Sequence, residues 1–372
     1  MLRALQLARR GMGRTSPNPC VGAVLVRGNQ IIGEGWHRGA GLPHAEVEAI
    51  QKARRKGKNV RGATLYVTLE PCSTWGRTPP CTNIILANGI RRVVVGTTDP
   101  NPKHNGRGYI RLRKAGIQVQ TGILQDECEK LNRAWNHWVV NRTPWVIAKY
   151  GMSLDGKIAI AGGKRQWITG YAARREAHRL RAHVDAILVG INTVLADNPQ
   201  LTVRSPGFAG KQPLRVVLDT HARTPPNARI LHIKGAHGGS PESHVRNRVL
   251  IMVGKRAPRD RIRRLERAGA CVYPVDMIRG RLSINAILRL LGRAGVVCMM
   301  VEGGGSVLGS FFCEKRVQEV VFFIAPMILG GQKNVRAVAG AGFPVWSKSL
   351  PLKEVVVRRV GRDLMVCGET QK

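Results

Sequence analysis

The 372-residue sequence is poor in acidic side chains, with 23 Asp and Glu against 60 Lys and Arg and a formal net charge of +37. Such an excess is typical of nucleic-acid-binding proteins, in which clustered cations neutralise phosphates. Here residues 1–143 carry a net charge of +15 and residues 144–372 one of +22, so the excess is spread over the whole chain. The even spread favours a compositional bias and argues against nucleic acid as a partner.

The sequence also lacks long hydrophobic runs and has little cysteine. No stretch approaches the ~18 apolar residues that a membrane helix needs, and the longest, such as Val296–Val301, have the length of a strand. Eight cysteines in 372 residues are too few for a disulfide framework. The N-terminus has no continuous apolar segment of the length that a secretory signal requires. We therefore expect a cytoplasmic protein that does not associate with membranes.

The remaining composition, 43% hydrophobic and 22% charged, is ordinary for a folded protein, and the length allows two or three domains. The first 140 residues alternate helix and strand patterns, with clear strands at Ala63–Thr68 and Arg92–Thr97, and a second alternating series follows. Pro144 interrupts the pattern between the two series. The sequence therefore predicts an α/β fold with domains at residues 1–143 and 144–372.

Four residues of the first domain carry the clearest chemical signal: His44, Glu46, Cys72 and Cys81. A catalytic zinc site uses three protein ligands and keeps a fourth position open, and one imidazole with two thiolates is such a set. A carboxylate outside the coordination shell can carry protons to and from the reacting water. We therefore interpret His44, Cys72 and Cys81 as ligands of Zn²⁺ and Glu46 as the catalytic proton carrier.

Taken singly, these residues have ordinary explanations, since most histidines and cysteines pack or hydrogen-bond without binding a metal. Their combination is more specific, because His-x-Glu followed by Pro-Cys and a second cysteine is typical of zinc deaminases. Deaminases of nucleic-acid bases commonly have two residues between the cysteines, whereas this chain has eight. The long spacing argues against a tRNA-editing deaminase, the alternative that the net charge suggests.

Further segments extend the pattern over nearly the whole chain. They are SPNP (16–19), GEGWH (33–37), TLEPC (68–72), GRTPPC (76–81) and DPNP (99–102) in the first half, and KYGMSLDGKIA (149–159), QWIT (166–169), GINTVLADNP (190–199), LTVR (201–204) and VEGGGS (301–306) in the second. Together they resemble the bifunctional deaminase/reductase family of riboflavin biosynthesis. The resemblance implies an N-terminal cytidine-deaminase-like zinc domain and a C-terminal dihydrofolate-reductase-like domain.

The same resemblance implies a two-step reaction on one small-molecule pyrimidine ribosyl phosphate. The steps are hydrolytic deamination of 2,5-diamino-6-ribosylamino-4(3H)-pyrimidinone 5′-phosphate and reduction of the ribosyl group to a ribityl chain, with Zn²⁺ and NADPH as cofactors. Members are often homo-oligomers. The implied substrate-binding residues are Asn18, His37, Arg77, Asp99, Asn101, Arg181, Leu201, Arg204 and Glu302. The implied NADPH-binding residues are Gly151, Trp167, Thr193, Asp197, Thr220, Gly304, Gly305 and Ser306.

The chain departs from the family pattern at two places. The segment between Cys72 and Cys81, here called the zinc loop, has Thr74 where the family commonly has His. The segment before QWIT has Lys164-Arg165, where the family usually has an acidic or small polar residue followed by Ser. The second departure keeps open an alternative in which the deaminase is active and the reductase half is impaired.

Overall fold

The computed structural model describes residues 1–76, 78–162, 166–205, 207–208, 210–232 and 249–371. It divides into two compact units, Met1–Arg142 and Thr143–Lys372. Three residues singled out in the sequence, Arg77, Lys164 and Arg165, lie outside the described residues. Among the described residues, no helix combines the length and the apolar composition needed to cross a membrane.

The first unit is a five-stranded sheet with helices on both faces. Its elements are α1 (Leu2–Arg9), β1 (Gly22–Arg27), β2 (Gln30–Trp36), α2 (Ala45–Arg55), β3 (Thr64–Leu69), α3 (Cys81–Ala87), β4 (Arg92–Thr97), α4 (Arg107–Lys114), β5 (Gln118–Gln120), α5 (Gln125–Leu131) and α6 (Arg133–Asn141). The strand order is β2-β1-β3-β4-β5. Strand β1 is antiparallel to β2 and β3, whereas β3, β4 and β5 run parallel.

Strand β1 shows why this sheet is covered on both sides. Ala23 and Leu25 belong to the core that includes α2, whereas Val24 packs with the buried face of α1. Successive side chains of a strand point to opposite faces, so an unbroken apolar strand needs a helix on each face. Glycines on β2 bring α2 unusually close, since a Cβ on Gly33 would lie 2.2 Å from the Ala49 carbonyl oxygen. This close approach places the N-terminus of α2 beside the end of β2.

The second unit contains a nine-stranded sheet. Its elements are β6 (Trp145–Ser153), β7 (Lys157–Ala159), α7 (Tyr171–His183), β8 (Ala186–Gly190), α8 (Ile191–Asp197), β9 (Leu214–Leu218), β10 (Val249–Gly254), α9 (Arg259–Arg267), β11 (Cys271–Val275), β12 (Met277–Ile278), β13 (Arg281–Leu282), α10 (Ile284–Arg293), β14 (Cys298–Val301), α11 (Gly305–Cys313), β15 (Glu319–Ala325), β16 (Val335–Arg336), a 3₁₀ turn (Trp346–Lys348), β17 (Leu352–Val360) and β18 (Asp363–Thr370). The strand order is β11-β10-β9-β8-β14-β6-β15-β18-β17.

Seven neighbouring strands of this sheet, from β11 to β15, are parallel, and the hairpin β17–β18 continues it antiparallel. The core lies between the sheet and its helices and contains Val146, Leu188, Val216, Met299 and Phe311 among its buried side chains. Because parallel strands end at the same edge, the segments that follow β8, β9 and β14 are brought together there. These segments include the predicted residues Thr193, Thr220 and Gly304.

Candidate active sites

The first unit contains a cluster of three potential metal ligands. His44 precedes α2, Cys72 lies in the loop after β3, and Cys81 opens α3. The His44 Nδ1 atom lies 3.1 Å from Cys81 Sγ and 3.6 Å from Cys72 Sγ, and the three ligand atoms lie within 4.8 Å of one another. One nitrogen and two sulfurs at this separation fit a tetrahedral zinc site with one position left for water.

Hydrogen bonds around the cluster favour the thiolate form of Cys72 and orient the imidazole of His44. The Cys81 backbone N–H donates to Cys72 Sγ at 3.2 Å. Hydrogen bonding from Cys81 lowers the pKa of Cys72 to about 4, and the same bond together with burial raises the pKa of Cys81. His44 Nε2 lies 3.3 Å from Thr78 Oγ1, which fixes the ring with Nδ1 toward the sulfurs. The imidazole and the two sulfur atoms therefore converge in an arrangement that can hold one ion.

Glu46 lies in the first turn of α2, two residues after His44, and only 3% of it is exposed. Burial raises the pKa of its carboxyl group, and His44 opposes that shift. The Glu46 side chain also interacts with the Cys81 thiol. A buried carboxyl group with a raised pKa, next to the ligands but outside their cluster, is suited to accept and return a proton.

Asn18 and His37 lie next to the ligand cluster. The His37 ring stands edge-on to the His44 ring, with centroids 5.2 Å apart. His37 Nδ1 lies 3.1 Å from the Pro43 carbonyl oxygen, which can only accept, so Nδ1 carries the proton. His37 Nε2 then accepts from Asn18 Nδ2 at 3.0 Å, and burial lowers the pKa of His37, which keeps the ring neutral. The amide of Asn18 is thereby fixed in one orientation.

Asp99 and Asn101 form a compact turn after β4. Asp99 Oδ1 accepts from the Asn101 backbone N–H at 2.8 Å, and Asn101 Oδ1 accepts from the Lys103 backbone N–H at 3.1 Å. Burial raises the pKa of Asp99 to about 6, and the nearby Cys72 adds to the shift. The turn therefore lies close enough to Cys72 for the two groups to interact electrostatically.

Thr74, which replaces the histidine common in the family, lies next to a histidine from another loop. Thr74 Oγ1 lies 3.5 Å from Nδ1 of His104, two residues before Gly106. An imidazole is therefore present beside the zinc loop although position 74 lacks one.

In the second unit, Arg181 and Glu302 form a buried ion pair. Arg181 Nε and Nη2 donate to the two Glu302 carboxylate oxygens at 2.7 and 2.8 Å, and Nη1 donates to the Thr202 carbonyl oxygen at 3.0 Å. Lys149 Nζ lies 3.5 Å from the same carboxylate. Burial alone would raise the pKa of Glu302, but Arg181 and Lys149 outweigh it and hold that pKa well below its usual range.

The LTVR segment lies against this ion pair. Leu201 is buried with a positive φ of 53°, and the carbonyl of the next residue binds Arg181. The Arg204 backbone N–H donates to His178 Nδ1 at 3.2 Å. The structure therefore brings Arg181, Leu201, Arg204 and Glu302 together, and Lys149 and His178 contact the same group.

The glycine turn after β14 has the form of a phosphate cradle. The Gly304 backbone N–H donates to Thr193 Oγ1 at 3.1 Å, so two predicted NADPH residues are in contact. A Cβ on Gly305 would lie 2.3 Å from the Arg336 carbonyl oxygen, so only glycine fits there. Ser306 is exposed in the first turn of α11, where backbone N–H groups lack helical partners. Such a turn can bind an anion.

The loop that carries Trp167 is held by the C-terminal hairpin and by α7. The Gly170 backbone N–H donates to Asp363 Oδ2 at 2.7 Å, and Arg362 Nη2 donates to the Ile168 carbonyl oxygen at 3.1 Å. A Cβ on Gly151 would lie 3.1 Å from Thr169 Cγ2, and the Arg174 guanidinium lies 4.8 Å from the Trp167 ring centre. Gly151 and the Trp167 loop are thus neighbours.

The two other predicted NADPH residues lie at ends of elements in the same unit. Asp197 ends α8, and Thr220 follows β9, where its carbonyl oxygen accepts from the Gly254 backbone N–H at 3.0 Å.

Three residues at these sites were given no role in the sequence analysis: Glu70, Lys149 and His178. Glu70 and Lys149 stand inside the TLEPC and KYGMSLDGKIA motifs, and that position was their only signal. His178 lies three residues before Arg181 on α7, a spacing that puts both on one face of the helix.

Comparison with known proteins agrees with both halves of this description. Residues 144–366 match the RibD C-terminal domain, and residues 1–97 match the cytidine and deoxycytidylate deaminase zinc-binding region. The chain is 39% identical over 366 residues to riboflavin biosynthesis protein RibD of Aquifex aeolicus, which covers 98% of this chain and 96% of that protein.

Two solved structures resemble the whole chain. Acinetobacter baumannii RibD has a TM-score of 0.85 and 35% identity, with 100% of this chain and 98% of that chain covered. A diaminohydroxyphosphoribosylaminopyrimidine deaminase/5-amino-6-(5-phosphoribosylamino)uracil reductase from Thermotoga maritima has a TM-score of 0.83 and 36% identity, with 100% and 97% covered. The chain therefore belongs to the RibD family of riboflavin biosynthesis, a bifunctional enzyme family that joins a zinc-dependent, cytidine-deaminase-like domain to an NADPH-dependent, dihydrofolate-reductase-like domain.

Proposed function

We propose that residues 1–143 hydrolytically deaminate 2,5-diamino-6-ribosylamino-4(3H)-pyrimidinone 5′-phosphate and that residues 144–372 then reduce its ribosyl group to a ribityl chain with NADPH. The observation that carries the first step is the convergence of His44 Nδ1, Cys72 Sγ and Cys81 Sγ within 4.8 Å, beside the buried carboxyl group of Glu46. The family membership supports the pairing of the two steps in one chain.

In the deamination, His44, Cys72 and Cys81 hold the metal. Zinc, when bound, supplies Lewis acidity, which makes a water molecule nucleophilic near neutral pH. Glu46 accepts a proton as the water oxygen adds to the amino-bearing ring carbon. It returns that proton to the amino nitrogen, so that the C–N bond breaks and ammonia leaves. Its raised pKa suits both directions of transfer.

Asn18 recognises the pyrimidine edge in this scheme. Because its Nδ2 donates to the neutral His37, its Oδ1 is the atom that can accept from a ring N–H or amino group. The turn of Asp99 and Asn101 borders the same site. Arg77, which lies outside the described residues, is assigned to the ribose phosphate because a guanidinium offers several donors to one phosphate.

In the reduction, the protein binds and orients two anionic ligands, and NADPH, when bound, supplies the hydride equivalent. The Gly304–Ser306 turn and Thr193 bind a cofactor phosphate, and Gly151, Trp167, Asp197 and Thr220 complete the NADPH site. Two cations, Lys149 and Arg181, contact the single carboxylate of Glu302, so this part of the site has a positive excess suited to a phosphate. Arg204, whose backbone N–H donates to His178 one helical turn before Arg181, is assigned together with Arg181 to the sugar phosphate.

We also propose that the protein works in the cytoplasm as a homo-oligomer and that its ligands are small anions and not nucleic acid. The near-equal density of basic excess in residues 1–143 and 144–372 supports the last point. The oligomer is a prediction from the family resemblance alone.

The deaminase assignment is tested with two substitutions on one helix. The zinc-loaded protein and its Glu46→Gln variant are assayed for ammonia release from the diaminopyrimidinone ribosyl phosphate, and bound zinc is measured. We expect Glu46→Gln to lose at least about 100-fold in rate and to keep its zinc. Glu48→Gln, a matched control whose carboxylate pairs with Arg38 and Lys52, should keep its activity. Full activity in Glu46→Gln contradicts the assignment.

A further inference from the structure

Glu70 binds three backbone N–H groups of a single loop. The residue follows β3, and only 4% of it is exposed. Its Oε2 accepts from the N–H groups of Asp99 at 3.2 Å and Gly106 at 2.9 Å, and its Oε1 accepts from that of Gly108 at 2.9 Å. All three donors belong to the segment 99–108, here called the 99–108 loop, which follows β4 and includes the first two residues of α4. One buried carboxylate therefore fixes both ends of this loop.

The packing around Glu70 leaves the loop little freedom. The Glu70 backbone N–H donates to the Thr97 carbonyl oxygen at 3.0 Å, so the residue is also tied to the end of β4. A Cβ on Gly108 would lie 2.3 Å from the Pro71 carbonyl oxygen, so the loop end is in tight contact with the segment leading to Cys72. The position of the 99–108 loop relative to the metal ligands is thereby set through Glu70 and Pro71.

The 99–108 loop presents polar groups toward the zinc loop. Asp99 and Asn101 form the turn described above, and His104 Nδ1 lies 3.5 Å from Thr74 Oγ1. A displacement of the loop would move all three side chains together, because Glu70 holds it on both sides of them.

We propose that Glu70 is a positioning residue of the deaminase, which holds the 99–108 loop so that Asp99, Asn101 and His104 border the pyrimidine nucleotide. This inference rests on the proposed function and goes beyond it by adding His104 to the substrate site and by assigning Glu70 as the anchor that positions the whole loop. Among the described residues, the side-chain hydrogen bonds of His44, Cys72 and Cys81 run to one another and to Thr78, not to this loop. Loss of the anchor is therefore expected to weaken substrate binding more than the chemical step.

A glutamine cannot replace this carboxylate without loss. It offers one acceptor oxygen and one NH₂ group, so at least one of the three backbone N–H groups then faces a donor. A buried N–H group without an acceptor is unfavourable, so the loop is expected to move or to admit a water molecule that accepts the hydrogen bond. Misplacement of binding groups by about 1 Å can cost on the order of 100-fold in catalytic efficiency.

The test compares Glu70→Gln with the wild-type chain and with Glu34→Gln, which removes a carboxylate from an exposed ion pair with Arg3 in the same unit. Deaminase KM and kcat, bound zinc, and the rate of NADPH oxidation with the deaminated intermediate are measured. We expect Glu70→Gln to raise the KM of the deaminase about 10- to 100-fold, with a smaller change in kcat. Zinc content and the reductase rate should stay within about twofold of wild type, as should every value for Glu34→Gln.

Different outcomes separate this inference from the proposed function. If the wild-type chain releases no ammonia, the proposed function fails. If the wild type is active and Glu70→Gln keeps its KM, or loses zinc and kcat in parallel, Glu70 is not a positioning residue. Should Glu70→Gln fail to fold, Gly108→Ala displaces the loop by a clash with the Pro71 carbonyl oxygen and the Glu70 side chain, and it is expected to raise the deaminase KM in the same direction. An unchanged KM in Gly108→Ala overturns the proposal.

Discussion

Arg181 binds Glu302 through two parallel hydrogen bonds of 2.7 and 2.8 Å, in a part of the second unit where both side chains are largely buried. Lys149 Nζ forms a salt bridge of 3.5 Å with the same carboxylate. Breaking a buried pair by removing one partner is costly because the other charge stays desolvated without compensation.

Glu302→Ala is therefore expected to lower the free energy of unfolding by about 3–5 kcal/mol and to abolish the reductase reaction. Urea unfolding of the full chain, followed by reductase activity, measures the first effect. The double variant Arg181→Leu with Glu302→Leu should recover part of the stability, since it removes both charges. A loss below about 1 kcal/mol in Glu302→Ala contradicts the assignment of a tightly coupled buried pair.

His178 makes the second unit sensitive to mild acid. Burial lowers its pKa to about 4, and Arg181 and Arg204 add to the shift. In the unfolded chain a histidine titrates near pH 6.5, so the unfolded state binds an extra proton between about pH 6.5 and pH 4. The free energy of unfolding is therefore expected to fall as the pH is lowered through that window.

His178→Asn tests this linkage, because an asparagine oxygen can still accept from the Arg204 backbone N–H but does not titrate. Unfolding by urea is measured at a series of pH values for both proteins. The variant should show the weaker loss of stability between pH 6.5 and 4. Identical pH profiles would show that His178 is already able to bind a proton in the folded state.

Thr193 supports the glycine turn through its hydroxyl group. Thr193→Val keeps the shape of the side chain and removes the oxygen that accepts from the Gly304 backbone N–H at 3.1 Å. Since a hydrogen bond of this kind contributes about 1 kcal/mol, the KM for NADPH should rise about 5-fold. The deaminase rate, measured on the same preparation, serves as the control and should not change. An unaltered KM for NADPH would separate Thr193 from cofactor binding.

Removal of the metal should abolish the deaminase activity and leave the reductase activity unchanged. A chelator that strips the ion from His44, Cys72 and Cys81 is expected to abolish ammonia release and to leave NADPH oxidation with the deaminated intermediate intact. Metal analysis should give about one zinc per chain before treatment, because one three-ligand cluster is present among the described residues. Loss of both activities in parallel would contradict a zinc site that serves the deaminase alone.

The sequence predicts those helices and strands in which hydrophobic residues recur at a regular spacing. Strand β4 begins and ends at Arg92–Thr97 as predicted, and β3 (Thr64–Leu69) lies one residue later than the predicted strand Ala63–Thr68. The hairpin β17–β18 was missed, because Val355, Val356 and Val357 are all more than half exposed and their strand shows no alternation of buried and exposed residues. Strand β17 is held by pairing with β18, a long-range contact that its own residues do not indicate.

The same limit applies to the sites. His44, Cys72 and Cys81 could be recognised because metal ligands are defined by residue type and by their place at the ends of elements. Glu70 could not, because its partners are backbone N–H groups 29 to 38 positions away, and backbone groups leave no mark in a sequence. Lys149 contacts Glu302, and His178 accepts from the Arg204 backbone N–H. Both partners are distant in sequence and become neighbours only when the chain folds.

Part of the basic excess has a local use in the structure. Arg10, Arg38 and Lys52 lie 5.0, 4.5 and 4.7 Å from the ring centre of Trp36, where cations are attracted to the aromatic face. Arg181 and Lys149 are used in the ion pair with Glu302. These contacts account for individual cations and need no nucleic-acid partner.

The central claim, two activities in one chain, is tested most directly with the Glu46→Gln protein and the deaminated intermediate. The nicotinamide absorbance of NADPH is followed after mixing with that intermediate and, separately, with the diamino substrate. The account predicts oxidation of NADPH at the wild-type rate with the deaminated intermediate and none with the diamino substrate, whereas the wild-type chain oxidises NADPH with both. Failure of the wild-type chain to oxidise NADPH with the deaminated intermediate would contradict the bifunctional assignment and leave a deaminase with an impaired reductase half.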